Sequence, residues 1–167
     1  MTLLWGVIVI GALCTEMKGQ TATFKALFLY NFTKNIDWPS SAENSDLVIT
    51  VLGDHEIEAE LKKIAKVKKS GNKPIRIASA NSIKEIPKSH IIFLGSAKSA
   101  LMSNLSHANK SNAVLLVADK KGLCSNGAGI TFLTVNGKLR YEISQNQIES
   151  QRLKVTQKIV SLGIAVE

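Results

Sequence analysis

Cysteine is almost absent: the chain carries Cys14 and Cys124 and no other. If Cys14 leaves with an N-terminal signal, Cys124 has no partner, so no disulfide is expected and the domain must be held by its core. Histidine is nearly as scarce. His55, His90 and His107 are scattered, and no pair has the spacing of a zinc site, so each reads as a surface or satisfied histidine and no metal is expected. Cys124 has no histidine beside it, which argues against nucleophilic catalysis. Neither G-x-S-x-G nor the phosphate loop G-x-x-x-x-G-K-[ST] occurs. Gly95-Ser96 stands at a strand-to-helix junction, a natural anion seat, but without that loop it reads as a cap. No catalytic residue and no cofactor are identified, and the chain is not read as an enzyme.

Aromatic residues make up only 5% of the sequence, and the stretch from Phe24 to Trp38 holds a large share of them. That stretch reads as one helix stopping at Trp38, because the residue before Pro39 is pushed out of the helical region. Phe24, Phe28, Phe32 and Ile36 recur every fourth residue with Leu29 beside them and are expected to face the core. Ala26, Leu27 and Tyr30 fall outside that face. A surface helix normally has a polar back, yet Lys25 is the only charge in the first two turns. Either the helix is buried on two sides or its back, with Ala26, Leu27 and Tyr30, meets a partner.

Leu3 to Leu13 is an unbroken apolar and glycine run, too short for a membrane span, which needs about 20 residues, and suited to the apolar core of a signal peptide. Residues 1–22 are read as that signal, cleaved somewhere in 14–22, and residues 23–167 as one domain. Lipidation at Cys14 is disfavoured because Leu13 is not small. The formal net charge of +8 suggests acidic partners: nucleic acid, anionic lipid or an acidic protein face. An exported protein would not meet nucleic acid.

Leu47 to Leu52, His90 to Leu94 and Ala113 to Ala118 are apolar runs typical of strands covered on both faces. Pro74 to Ala78 alternates, as a half-exposed or edge strand does. Between them lie a helix capped by Asp54 with Ile57, Leu61, Ile64 and Ala65 inward, a lysine-rich turn from Val67 to Lys73, and a short helix from Ser82 stopped by Pro87. After Gly95-Ser96 comes a helix with Ala97, Leu101, Leu105 and Ala108 on one side. Gly129 to Val135 and Lys138 to Ile143 flank Asn136-Gly137, a strong hairpin signal. Gln145 to Gln151 reads as helix, Leu153 to Val155 as extended, and Thr156 as the cap of a closing helix with Ile159, Val160 and Leu162 inward. The fold class is therefore α/β: one mixed sheet, mainly parallel, with helices on both faces and a C-terminal antiparallel hairpin.

Open parallel sheets bind ligands at the carboxyl ends of their strands. Asp54, His55, Ser79, Asn81, Ser96 and Asp119 fall there, and Asp54, His55, Ser96 and Asp119 are taken as a candidate ligand crevice. Lys62, Lys63, Lys66, Lys68, Lys69 and Lys73 form the densest charge cluster, read as a solvated helix end or a docking patch.

The opening helix carries Tyr30, Asn31, Phe32, Lys34, Trp38 and Pro39 in the order Tyr-Asn-Phe-x-Lys-x-x-x-Trp-Pro. This resembles the start of the YfiR family. Ile49 to Asp54, Ser89 to Gly95, Leu115 to Asp119, Gly127 to Ser144 and Leu153 to Leu162 continue the resemblance in order. Ser89 stands where the family often has cysteine, so the disulfides of some relatives, and any redox sensing they provide, are missing. The resemblance implies a secreted periplasmic regulator that binds the periplasmic part of an inner-membrane diguanylate cyclase and holds it inactive. It further implies release by an outer-membrane lipoprotein, control of cyclic di-GMP and biofilm formation, and self-association as a homodimer. The alternative is a periplasmic small-ligand-binding module feeding a sensor kinase or transport system.

Overall fold

The computed structural model describes residues 5–39, 46–110 and 112–167, with side chains from residue 19 onward. Of the expected signal at 1–22, residues 1–4 lie outside the described residues, and residues 5–18 are described only as helical backbone. The polar connector after Pro39 also lies outside them as far as residue 45.

Helix α1 (Trp5–Asn35) enters first. It ends three residues before the expected Trp38, because β1 (Ile36–Asp37) turns aside to pair antiparallel with β9 (Lys154–Val155). The Asn35 carbonyl and side-chain oxygen accept bonds from the backbone N–H and hydroxyl of Thr156, at 3.0 and 3.1 Å. Backbone pairing from a distant segment, rather than the proline, stops this helix.

The main sheet has the order β10-β8-β7-β6-β5-β2-β4-β3. Its parallel centre consists of β2 (Leu47–Leu52), β4 (Lys73–Ala80), β5 (Ile91–Leu94), β6 (Leu115–Ala118) and β7 (Ile130–Val135). β8 (Lys138–Ile143) folds back antiparallel on β7 across the expected turn. Asn136 and Gly137 both take positive φ, 50° and 72°, as a type I′ turn requires. The lysine-rich turn proves to be a tight hairpin, in which β3 (Lys69–Ser70) pairs antiparallel with the start of β4. A last strand, β10 (Ile164–Ala165), runs parallel to β8 and had no signal in the sequence.

Two apolar clusters confirm that both faces are covered. On one face, α1, α2 (His55–Val67), α4 (Gln145–Ser150) and α5 (Gln157–Leu162) pack over Ile49, Val51, Phe93, Val117 and Phe132. On the other, α3 (Met102–Ala108) and short 3₁₀ turns cover Leu52, Ile92, Leu94 and Leu116. The segment before α3 (Ser96–Leu101) is 3₁₀ rather than α, and three residues per turn shift the inward positions. Leu105 is buried and Leu101 packs against the cluster as expected, but Ala97 and Ala108 are exposed and Met102 is buried instead. Leu162, expected inward, is 54% exposed.

Candidate functional site

Two places answer to the expected sites: the back of α1 and the carboxyl edge of the sheet. On α1 the buried stripe is Ala22, Ala26, Leu29, Tyr30, Phe32 and Thr33, continued by Ile36 of β1. Aromatic packing sets this rotation. The Phe32 ring lies 6.2 Å from Phe132 and 5.4 Å from Tyr141, and Phe28 lies 5.5 Å from Tyr141. The Tyr141 hydroxyl donates to the Ile159 carbonyl at 2.6 Å, tying β8 to α5 beneath α1. Burial pushes the Tyr141 phenol up to about 12.

This rotation corrects the outward set. Ala26 is fully buried and Tyr30 is 8% exposed, so neither is available to a partner. The Tyr30 hydroxyl donates to the Lys69 carbonyl at 3.3 Å, because α1 also packs against α2 and β3, which the four-residue repeat did not reveal. Phe24, expected inward, is 48% exposed, and Leu27 is 41% exposed. Among its described side chains, the large apolar ones that α1 exposes are therefore Phe24 and Leu27, one turn apart.

At the sheet edge the four crevice residues do come together. Asp54, His55, Ser96 and Asp119 line one open recess of about 650 Å³, shared with Thr21, Lys25 and Glu56. It lies where the chain moves from β2 outward to β4 and then to β5 on the other side, the switch point of the parallel sheet. Ser79 and Asn81 are not part of it: the Ser79 hydroxyl donates to Glu58 and the Asn81 N–H to Glu85, at 3.0 and 3.1 Å. The two loops at the switch point touch at Gly95, where a Cβ would stand 2.6 Å from the Gly53 carbonyl oxygen. Glycine is the residue that permits that approach.

The crevice's charges are largely engaged. Asp54 accepts the Ile57 N–H at 3.0 Å and caps α2. Lys25, reaching down from α1, holds Asp119 at 2.6 Å. Burial pushes the Asp119 carboxyl up, the Lys25 ammonium pulls it down, and the Asp54 charge adds to the upward push. His55 stands out in solvent, 3.5 Å from Glu58. This arrangement brings fixed charge to a recess and no nucleophile paired with a base; what it can do is bind and orient a small polar ligand. Lys25 was missed as a site residue. A lone charge on an otherwise apolar stretch of helix was its signal.

His90 is a satisfied histidine. Its Nδ1 accepts the Val48 N–H at 3.1 Å, and its ring meets Trp38 edge-on at 5.7 Å. Among the described residues no group of three acidic, histidine or cysteine side chains could hold a metal ion, and no helix is long and apolar enough to cross a membrane.

A family model described as YfiR/HmsC-like matches residues 22–164. No curated protein matches the chain.

Proposed function

Because the chain belongs to the YfiR/HmsC-like family, we propose that it is a secreted periplasmic regulator. It binds the periplasmic part of an inner-membrane diguanylate cyclase and holds that enzyme inactive, which limits cyclic di-GMP and biofilm formation. The observation that carries this reading is the family match, which runs from α1 to β10. The exposed Phe24 and Leu27 on α1 support a partner-binding role, since an exposed apolar pair one turn apart suits a protein contact. Deleting the gene and measuring cyclic di-GMP tests the proposal: a rise is expected, and an unchanged level overturns it.

The second reading, a ligand-binding module, draws support from the crevice at the switch point. Metabolites added to labelled protein should then shift the amide signals of Asp54, Ser96 and Asp119. Silence across a broad set of metabolites removes this reading without touching the first.

A further inference from the structure

We propose that the lysine-rich end of the molecule, formed by the last turn of α2 and the β3–β4 hairpin, is a docking surface for an anionic phospholipid bilayer. From Leu61 to Lys84 the chain has no aspartate or glutamate. The acids of α2 lie at its other end, where Glu58 holds Lys62 and Glu60 holds Lys63, each at 2.6 Å. Past that point, no ion pair among the described residues involves Lys66, Lys68, Lys69 or Lys73.

Tertiary packing adds to this surface. Lys34 of α1 sits 4.4 Å from the centre of the Tyr30 ring, whose hydroxyl bonds the Lys69 carbonyl. Lys34 and Lys73 also line one recess of about 290 Å³, with Asp37 as its one acid, so the end of α1 and the hairpin form one continuous face on which lysines outnumber carboxylates. In the middle of the lysines stands Val67, 77% exposed, the most exposed of the large apolar side chains among the described residues.

The composition distinguishes lipid from protein. Protein interfaces are enriched in arginine and aromatic residues and depleted in lysine. Here the exposed run is Lys66-Val67-Lys68-Lys69, with no arginine or aromatic residue in it. Flexible point charges around one small apolar side chain suit a surface of many mobile negative headgroups with a shallow apolar layer beneath. Each lysine close to such a surface strengthens binding by roughly fivefold, and the attraction fades within a Debye length. The surface would hold the protein at a membrane with this end down, whatever it then contacts.

The test is cosedimentation of the purified chain, in the form its cells release, with neutral phosphatidylcholine vesicles and with vesicles rich in phosphatidylglycerol. Binding in excess of the neutral control is expected, and it should disappear at about 0.5 M salt. Lys66→Glu, Lys68→Glu and Lys69→Glu together should reduce the excess at least tenfold, and Val67→Ser should reduce it less. All four side chains are exposed, and unchanged circular dichroism checks that the variants fold. No excess over neutral vesicles, or an excess that the triple variant retains, overturns the proposal. Lysine-dependent capture of an acidic protein domain without any binding to vesicles also overturns it, in favour of a protein contact. No cyclase enters the assay, so its failure leaves the proposed regulatory role standing.

Discussion

Tyr30 and Leu27 lie three residues apart on one helix and should respond to the same substitution in opposite ways. Tyr30→Asp puts a carboxylate where Tyr30 is 8% exposed, leaves the space of the ring unfilled and removes the hydroxyl bond to Lys69, and should cost about 3–5 kcal/mol of stability in chemical denaturation. Leu27→Asp, on a side chain 41% exposed, should leave the denaturation midpoint nearly unchanged and weaken partner capture, as should Phe24→Asp. Cys124 gives a second residue-level prediction. Burial pushes its thiol up to about 11, so in the native state its peptide should resist alkylation at neutral pH and label only on unfolding. Buried Thr131 and Glu142 lie beside it, and Glu142 accepts the Thr131 hydroxyl at 2.7 Å and the Gly122 N–H at 2.9 Å. Asp119 gives a pH signature. Its folded carboxyl is raised above 3.8, so it favours the fold most below that value, and this contribution is lost as pH rises through the folded pKa. The stability of Asp119→Asn relative to the parent should therefore increase from about pH 3 to about pH 6. Glu58 and Glu60, lowered by their lysine partners, run the other way but are common to both proteins and cancel in the difference.

At the level of elements, what was legible depended on whether the signal was local. The β7–β8 turn needed only Asn136-Gly137, and its placement follows from those residues alone. Asn136→Val, a β-branched residue at φ 50°, should cost about 1–2 kcal/mol, read as a lower denaturation midpoint. The N-cap of α2 was legible for the same reason, since Asp54 bonds a neighbour three residues on. The end and the rotation of α1 were not. Both depend on residues far along the chain: Thr156 and Val155 for where it stops, Tyr141 and Phe132 for which side faces in. A four-residue repeat fixes a face only if one surface is offered to it. Here the sheet, α2 and α5 all meet the helix, and Phe24 gives up its place in the core to Ala22 and Ala26. The 3₁₀ stretch at Ser96–Leu101, with its different period, put Ala97 outward and Met102 inward, while Leu105 of α3 kept its expected place.

Across the whole molecule, the parallel centre was legible because three buried strands announce themselves by composition, and the crevice residues followed from the carboxyl ends of those strands; the strand order that makes this the switch point was not legible. Nor were β10 and the β1–β9 pair, since two-residue strands leave no pattern. Those small pieces nonetheless join the two ends of the domain: Asn35 and Thr156 are bonded across 121 positions. A ribosome must therefore release nearly the entire polypeptide before the end of the first helix can be fastened, although α2 and β3 can pack on the helix much earlier, and until then Phe28 and Phe32 lack Phe132 and Tyr141. That corner of the domain can close only late in synthesis, and a segment not yet closed is one that can still be threaded through a narrow channel.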